Sequence, residues 1–266
     1  MSFTLPSVLT IAGSDPSGGA GIQADLKTIA ALGLYGSSVI TALTAQNTTR
    51  VYQVEDVSIP MLNDQLEAVL SDITPQAIKI GMAGSSASIK VITDNLSKFP
   101  MIPVVLDPVM VSTSGGTLFE QNGLKDLTDK LFPLAALVTP NIPEAQVLLS
   151  TKRPLISKND MEEAAMELCK KYKTAFLLKG GHSSMEANDV LCQNGIITWF
   201  HGKRIETSNT HGTGCTLSSA IACGLAMKKG LEESILLAKE YLTGALMAGL
   251  ELGNGNGPIW HGFKDT

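Results

Sequence analysis

The sequence predicts an α/β fold in which a mostly parallel central sheet carries helices on both faces. Short apolar runs alternate with stretches of helical periodicity, and loops that contain Gly or Pro separate them. Each helical stretch is apolar on one face only, so it needs a sheet or another helix to cover that face. The apolar runs occupy residues 8–12, 38–43, 77–82, 104–106, 136–138 and 175–178.

Two of the helical stretches are especially clear. The first has apolar residues three or four positions apart, at Leu62, Leu66, Val69, Leu70 and Ile73. The second covers residues 161–172 and follows Ser157-Lys158-Asn159-Asp160, which has the form of a capping box. Both patterns predict amphipathic helices packed on the sheet.

Two regions depart from this alternation. Residues 189–207 are expected to form a hairpin that turns at Asn194-Gly195. After Thr210 the pattern becomes almost wholly helical, over residues 214–228 and 231–252. No low-complexity linker or internal repeat divides the chain, which predicts a single domain over residues 1–266.

Composition and charge exclude several classes of function. The 266 residues include 20 basic and 25 acidic ones, and a net charge of −5 disfavours binding to nucleic acid or to a membrane surface. No apolar run approaches the roughly 18 residues that a membrane span needs, and residues 1–6 do not resemble a signal peptide. The four cysteines include no C-x-x-C pair, so a reducing cytoplasm is the expected location.

Ligands of open α/β sheets bind at the carboxyl ends of the strands, so polar residues directly after the apolar runs are candidates for a site. One such segment, from Gly13 to Gly21, is rich in glycine and lies between a predicted strand and a predicted helix. It matches neither the Walker A pattern nor G-x-G-x-x-G, and a tight turn is the alternative interpretation. Asp25, in the first turns of that helix, could accept hydrogen bonds from a ligand, or could simply favour the helix dipole.

The strongest cluster is Asn209-Thr210-His211-Gly212-Thr213-Gly214-Cys215-Thr216, which leads into a long helix. Backbone N–H groups and the helix dipole can bind an anion at such a turn, and His211 borders it. A thiol in the first turn is expected to have a lowered pKa, so Cys215 could act as a base or a nucleophile. The alternative for Cys215 is a small packing residue. The other three cysteines, Cys169, Cys192 and Cys223, are expected in the core.

Three charged residues at strand ends complete a candidate phosphate site. Lys179 follows a buried run and precedes two glycines, so its ammonium could reach a polyphosphate. Asp107 and Glu144 could hold Mg²⁺, commonly through water, although each could also be a loop acid or a helix cap. Met82, at another strand exit, could form an apolar wall against a flat ring.

These motifs together resemble the bacterial hydroxymethylpyrimidine/phosphomethylpyrimidine kinases. The resemblance runs in order from about residue 5 to about residue 262. It rests on the segments 12–25, Thr44-Ala45-Gln46-Asn47, Lys79-Ile80-Gly81-Met82, Asp107-Pro108-Val109-Met110, Thr139-Pro140-Asn141-Ile142-Pro143-Glu144-Ala145, Leu178-Lys179-Gly180-Gly181-His182 and Gly212-Thr213-Gly214-Cys215.

The resemblance implies a ribokinase-like fold and two successive ATP- and Mg²⁺-dependent phosphorylations in thiamin biosynthesis. The acceptors would be 4-amino-5-hydroxymethyl-2-methylpyrimidine and then its monophosphate. The implied substrate-binding residues are Gly13, Asp25, Gln46, Met82 and Val109. The implied ATP-binding residues are Lys179, Asn141 and Thr213, with Asp107 and Glu144 near Mg²⁺. Gly212, Thr213, Gly214 and Cys215 would form the anion hole, with Cys215 in the place where the wider sugar-kinase superfamily usually carries an aspartate base.

Two other functions stay open at this point. Pyridoxal is also a flat, methylated heteroaromatic ring with a hydroxymethyl group, so a pyridoxal or pyridoxine kinase is the first alternative. A non-catalytic sensor of pyrimidines or nucleotides is the second, although it would not need a complete set of transfer residues. The resemblance also implies a homodimer, and residues 112–122 are a candidate for a mobile flap.

Overall fold

One nine-stranded sheet organises the part of the chain that the computed structural model describes, which is residues 4–110, 121–181 and 187–264. The candidate flap and His182 therefore lie in, or mostly in, segments outside the described residues. The strand order is β3-β2-β1-β4-β5-β6-β7-β8-β9. The strands are β1 (Ser7–Ser14), β2 (Tyr35–Gln46), β3 (Val51–Asp56), β4 (Ala77–Ile80), β5 (Val104–Leu106), β6 (Leu137–Val138), β7 (Phe176–Lys179), β8 (Asp189–Gln193) and β9 (Ile196–Phe200).

The centre of the sheet is parallel, as predicted, and its two margins are antiparallel. Strands β2, β1, β4, β5, β6 and β7 pair in parallel. The predicted hairpin is present as β8 and β9, and its turn residues Asn194 and Gly195 both have positive φ, as a tight two-residue hairpin requires. The strand β3 was not predicted, because it pairs antiparallel at the margin of the sheet and its residues are mostly exposed.

Helices cover both faces of the sheet because its strands are apolar on both sides. They are α1 (Gly21–Ala31), α2 (Ile59–Asp72), α3 (Ser86–Leu96), α4 (Gln121–Asp126), α5 (Ile142–Leu148), α6 (Lys158–Tyr172), α7 (Thr213–Ala226) and α8 (Leu231–Met247). In β7, Phe176 and Leu178 pack in the core cluster with α2, α3, α5 and α6, whereas Leu177 packs with α1, α7 and α8. Two cores therefore lie on opposite faces of one sheet.

The helix predicted after Ser157 begins where expected, whereas the last predicted helix is shorter than expected. The capping box at Ser157 and Asp160 is present at the start of α6. The prediction of helix up to residue 252 is wrong, because α8 ends at Met247 and Gly249 adopts a positive φ of 65° that stops the helix. Among the described residues, no helix has the length and apolar character needed to cross a bilayer. One domain over the whole chain stays a prediction.

Candidate active site

All but one of the predicted site residues line a single cavity of about 610 Å³ at the carboxyl ends of the parallel strands. The strand ends bring these residues together although they are far apart in the sequence. The predicted residues on the cavity wall are Gly13, Gln46, Met82, Asp107, Val109, Asn141, Glu144, Lys179, Gly212, Thr213, Gly214 and Cys215.

The turn before α7 is built so that only glycine fits at its start. Gly212 is the N-cap of α7 and has a φ of 82°. A Cβ atom at Gly212 would lie 1.8 Å from the carbonyl oxygen of Gly19, so this turn is packed directly on the first glycine-rich loop. No side chain caps α7 within the described ranges, and the N–H of Thr213 donates to the carbonyl oxygen of Thr210 at 3.3 Å. The N–H groups of Gly214 and Cys215 have no intrahelical acceptors, so they are available for an anion.

Lys179 and Asp107 form an ion pair beside this turn. Lys179 Nζ lies 2.7 Å from Asp107 Oδ1, which also accepts a hydrogen bond from Thr139 Oγ1 at 3.2 Å. Burial lowers the pKa of Lys179, but Asp107 and Glu144 outweigh it and raise that pKa, so the ammonium is charged at neutral pH. A Cβ atom on Gly214 would lie 3.4 Å from Lys179 Nζ. The positive charge and the helix N-terminus thus meet at one place.

Glu144 is held by a capping box at the start of α5. Its carboxylate accepts the N–H of Asn141 at 2.8 Å, and Asn141 Oδ1 accepts the N–H of Glu144 at 2.8 Å. Burial raises the pKa of Glu144 to about 7, against the opposing charge of Lys179. Glu144 is therefore both a helix cap and a cavity-lining acid, which were the two interpretations that the sequence left open.

The structure corrects the expectation for the thiol of Cys215. Burial raises the pKa of Cys215 to about 11, although the charge of Lys79 and a backbone hydrogen bond from Gly21 act in the opposite direction. The prediction of a lowered pKa is therefore wrong for this structure. The helix dipole is weaker here than the cost of placing a thiolate where little water reaches it.

Asp25 does not line the cavity, and the structure does not place it beside the other predicted substrate-binding residues. Its side chain is fully buried. Both carboxylate oxygens accept hydrogen bonds from Lys79, and Thr10 and Ser219 donate to them as well. With its oxygens engaged inside the protein, Asp25 has no capacity left for a substrate amine.

The carboxylate of Asp15 organises the glycine-rich loop, and its role was missed in the sequence. It accepts hydrogen bonds from the N–H and hydroxyl of Ser17, from the N–H of Ala20, and from Nε2 of His211 at 2.7 Å. Burial raises the pKa of Asp15, but the bonds from His211 and Ser17 outweigh it, and the net pKa is lowered. The segment Asp15-Pro16-Ser17 is a typical Asx-turn sequence, which could have indicated this role.

A carboxylate only accepts hydrogen bonds, so Nε2 of His211 carries its proton toward Asp15. Gln46 Nε2 lies 3.4 Å from the same ring nitrogen. The amide hydrogens of Gln46 are therefore not taken up by that nitrogen, and Gln46 can offer them to a ligand in the cavity.

One part of the cavity wall, formed by α8 and the loop after β9, carries no sequence motif and was not predicted. It combines apolar side chains from α8 with basic side chains from the loop after β9, namely Leu242 and Leu246 with Lys203 and Arg204. Lys239 of α8 donates to Asp189 at 2.5 Å and to the carbonyl oxygen of Ala187 at 2.9 Å, which joins α8 to the hairpin. No motif marks these residues, because a loop and a helix face contribute them separately.

The donor set for a metal is sparse. Across residues 4–110, 121–181 and 187–264, no group of three or more His, Cys, Asp or Glu side chains is placed to hold an ion. Asp107 and Glu144 line the cavity together with Lys179, and the carboxylate of Asp15, which also lines it, is engaged by Ser17, Ala20 and His211. Two carboxylates suit Mg²⁺ when phosphate oxygens and water supply the remaining ligands, so the residues fit a magnesium–nucleotide complex and do not fit a free protein-bound ion.

Comparison with known proteins identifies the family. The family model described as phosphomethylpyrimidine kinase matches residues 15–260. The hydroxymethylpyrimidine/phosphomethylpyrimidine kinase of Rhizobium meliloti is 47% identical over 256 residues, which cover 95% of this chain and 96% of that protein. The thiamine biosynthesis bifunctional protein ThiED of Geobacter sulfurreducens is also 47% identical, over 97% of this chain, and the alignment spans 53% of that longer protein.

Solved structures of two kinds of vitamin kinase resemble this chain. The crystal structure of a phosphomethylpyrimidine kinase from Clostridium difficile 630 is 44% identical, with a TM-score of 0.78 over 90% of this chain and 98% of that chain. The ADP complex of the pyridoxal kinase from Bacillus subtilis is 32% identical, with a TM-score of 0.90 over 98% of this chain and 99% of that chain.

Proposed function

The chain belongs to the phosphomethylpyrimidine kinase family, and from this premise we propose how its cavity phosphorylates 4-amino-5-hydroxymethyl-2-methylpyrimidine and then the resulting monophosphate. Both reactions belong to thiamine biosynthesis, and ATP is the phosphoryl donor. The observation that carries the proposal is the single cavity in which a pocket for a flat ring, a paired lysine and the first turn of α7 adjoin one another.

The pyrimidine ring binds at the end of the cavity formed by the first loop and β2. Met82 supplies an apolar wall, and its Sδ is 3.2 Å from where a Cβ on Gly13 would lie, so Gly13 leaves room for that wall. The amide of Gln46 hydrogen-bonds the aminopyrimidine, and Val109 adds a further apolar side chain to the cavity wall. This arrangement directs the hydroxymethyl group toward α7.

The phosphoryl group that is transferred lies against the first turn of α7. The N–H groups of Gly214 and Cys215 and the ammonium of Lys179 compensate its negative charge. Asp107 and Glu144 would hold Mg²⁺ together with water and nucleotide oxygens, and the ion would supply positive charge to the phosphate oxygens. Asn141 and Thr213 border the same space. The adenosine part of ATP extends toward Leu242, Leu246, Lys203 and Arg204.

The transfer forms a bond between the hydroxymethyl oxygen and the γ-phosphorus and breaks the bond from that phosphorus to the β–γ bridging oxygen. The hydroxyl proton must leave, and we assign its acceptance to Cys215, a side chain of the first turn of α7 that lines the cavity. A thiol with a raised pKa is a strong base once ionised, but only a small fraction is ionised at neutral pH. The assignment therefore predicts that turnover rises with pH.

A pyridoxal kinase activity is the second candidate, and the close superposition on the Bacillus subtilis pyridoxal kinase favours it. Both candidates are tested by incubating the protein with Mg-ATP and an equimolar mixture of the pyrimidine alcohol, its monophosphate and pyridoxal, followed by mass spectrometry. The pyrimidine monophosphate and diphosphate are the expected main products. Pyridoxal phosphate as the main product would replace the first proposal by the second. Lys179→Gln, with the same mixture, is the control that should lose all products together.

The family resemblance implies a homodimer, and the four cysteines without a C-x-x-C pair favour a reducing cytoplasm. We propose a homodimer in the cytoplasm. Sedimentation equilibrium should give a mass about twice the 28.0 kDa of the chain, and a mass near that of one chain would contradict the dimer.

A further inference from the structure

A lysine side chain lies fully buried in the middle of the sheet. Lys79 belongs to β4, and neither its side chain nor that of its partner Asp25 is exposed at all. Lys79 Nζ lies 2.9 Å from Oδ1 and 2.8 Å from Oδ2 of Asp25, so the contact is bidentate. A buried pair of this kind loses much hydration on folding, and apolar residues of similar volume would often give equal stability. Stability alone is therefore a weak reason for the pair.

The pair connects four elements of the fold. Thr10 of β1 donates to Asp25 at 2.5 Å, and Ser219 of α7 donates to it at 2.7 Å. Asp25 itself belongs to α1 and Lys79 to β4. Ser219 follows Cys215 by four residues, about one turn of helix, so the bond fixes the part of α7 that carries the anion-binding turn.

Lys79 is also one of the residues that border the cavity, although none of its side chain is exposed to solvent. Its Nζ lies 2.8 Å from where a Cβ on Gly81 would be. An ammonium has three donors, and Asp25 takes two of them. The third N–H donor of Lys79 has no acceptor among the residues that the structure describes, and because the side chain is fully buried it is also shielded from water.

The charge of Lys79 acts on the groups of the reaction site. Burial lowers the pKa of Lys79, but Asp25, Cys215 and Asp107 together raise it, so the ammonium stays charged. At Cys215, Lys79 is the strongest influence against burial, and it outweighs the opposite effect of Asp25. The charge of Lys79 therefore favours the thiolate form of Cys215.

We propose that Lys79 is a positioning residue for phosphoryl transfer: held by Asp25, it supplies a fixed positive charge beneath the first turn of α7 and orients that turn through Ser219. This inference rests on the kinase function proposed above. It gives Asp25 an internal role in place of the substrate contact that the family resemblance implied. Because Lys79 acts through Cys215 and α7, its loss should change turnover more than ATP binding.

The test uses a double variant, Asp25→Asn with Lys79→Met, which removes both charges at nearly constant volume. Lys79→Met alone would leave a buried unpaired carboxylate and is expected to destabilise the fold, so it cannot serve as the main variant. Lys90→Met is the matched control, because Lys90 of α3 forms an exposed ion pair with Asp94 at 2.5 Å and does not line the cavity. Thermal unfolding of each variant shows how much protein is folded.

For the folded double variant we expect kcat to fall roughly 10- to 100-fold with both pyrimidine acceptors, with the KM for ATP within about threefold of the wild-type value. The Lys90→Met control should keep wild-type values. A wild-type kcat in the folded double variant would overturn the proposal, and so would a loss that lies wholly in KM.

A second readout does not depend on which substrate the enzyme uses. Iodoacetamide alkylation of Cys215, followed by peptide mass spectrometry at pH 8 without nucleotide, reports how easily its thiol ionises. The double variant should alkylate several-fold more slowly than the wild type and the Lys90→Met control. An unchanged alkylation rate in the double variant would overturn the electrostatic role of Lys79, even if the kinase assignment holds. A slower alkylation rate in a protein without pyrimidine kinase activity would support the role of Lys79 and refute the assigned reaction.

Discussion

At the scale of single residues, the chemistry of the cavity depends on two positions in the turn before α7. Cys215 supplies a thiol whose pKa burial raises to about 11. Gly212 supplies a backbone conformation, with φ of 82°, that brings the turn into contact with Gly19. One residue sets the protonation chemistry and the other sets the shape of the anion site.

If Cys215 is the base, kcat should rise with pH. Only the thiolate accepts a proton, and with a pKa of about 11 its fraction grows about tenfold per pH unit between pH 7 and 10. The measurement is the pH profile of kcat at saturating Mg-ATP for the wild type and for Cys215→Ala. The variant should lose turnover far more than ATP affinity and should show no such slope. Near-normal turnover in Cys215→Ala would remove Cys215 from the mechanism.

Gly212→Ala should destabilise the protein by at least ~3 kcal/mol, because the new Cβ overlaps the carbonyl oxygen of Gly19 and φ is positive. Gly195→Ala is a matched control, since Gly195 has nearly the same φ, 79°, but a Cβ there would meet nothing described within 4 Å. That control should cost only about 1 kcal/mol. Urea unfolding measures both. Equal losses would show that the contact with Gly19 is unimportant.

At the scale of elements, helix N-termini hold the site in place. The first turn of α7 carries the anion site without a side-chain cap in the described part of the chain, whereas α5 and α6 both begin with capping boxes. The box of α5, Asn141 with Glu144, lines the cavity. The capping box of α6, Ser157 with Asp160, does not line the cavity. The two helices thus allow the structural role of a cap to be separated from its role at the site.

Asn141→Ala and Ser157→Ala should each lower the free energy of unfolding by about 1 kcal/mol, because each removes one cap. Only Asn141→Ala should also weaken use of Mg-ATP, by about tenfold in kcat/KM, because it releases a hydrogen bond that orients Glu144. Urea unfolding and steady-state kinetics at varied Mg²⁺ measure the two effects. A similar kinetic loss in Ser157→Ala would mean that the effect comes from general destabilisation.

At the scale of the whole molecule, the segment after α8 forms hydrogen bonds with both α7 and α8. His261 is buried, with its Nε2 3.0 Å from Thr216 Oγ1 of α7, and its carbonyl oxygen accepts a hydrogen bond from Tyr241 of α8 at 2.7 Å. Burial, together with the charge of Lys27, lowers the pKa of His261 from 6.5 to about 4. The folded protein therefore holds this ring in its neutral form.

This lowered pKa predicts acid destabilisation in a defined range. His261 becomes protonated below about pH 6.5 in the unfolded chain but only below about pH 4 in the folded protein. The free energy of unfolding therefore decreases as the pH falls from 6.5 to 4, by about 3 kcal/mol in all. Urea unfolding of wild type and His261→Gln at pH 7.5 and 4.5 measures the difference. His261→Gln should lose this part of the pH dependence, whereas the exposed control His201→Gln should keep it. The same slope in all three proteins would contradict the prediction.

Much of the fold followed from local sequence patterns. The apolar runs gave the parallel strands, the turn at Asn194-Gly195 gave the hairpin, and the capping box at Ser157 gave the start of α6. The strand β3 could not be found in this way, because it lies exposed at the margin of the sheet and its residues carry no burial signal. The end of α8 was also misplaced, since apolar periodicity continued past the glycine that stops the helix.

The sequence by itself determined the fold class and placed the chemical groups at the strand ends, because both depend on short-range periodicity and on the common direction of parallel strands. Only the tertiary structure decided the state of those groups. It turned Asp25 inward to Lys79, tied Asp15 to His211, and raised the pKa of Cys215. Water exclusion and partner choice arise from many distant segments packing at once, and no local pattern in the chain encodes them.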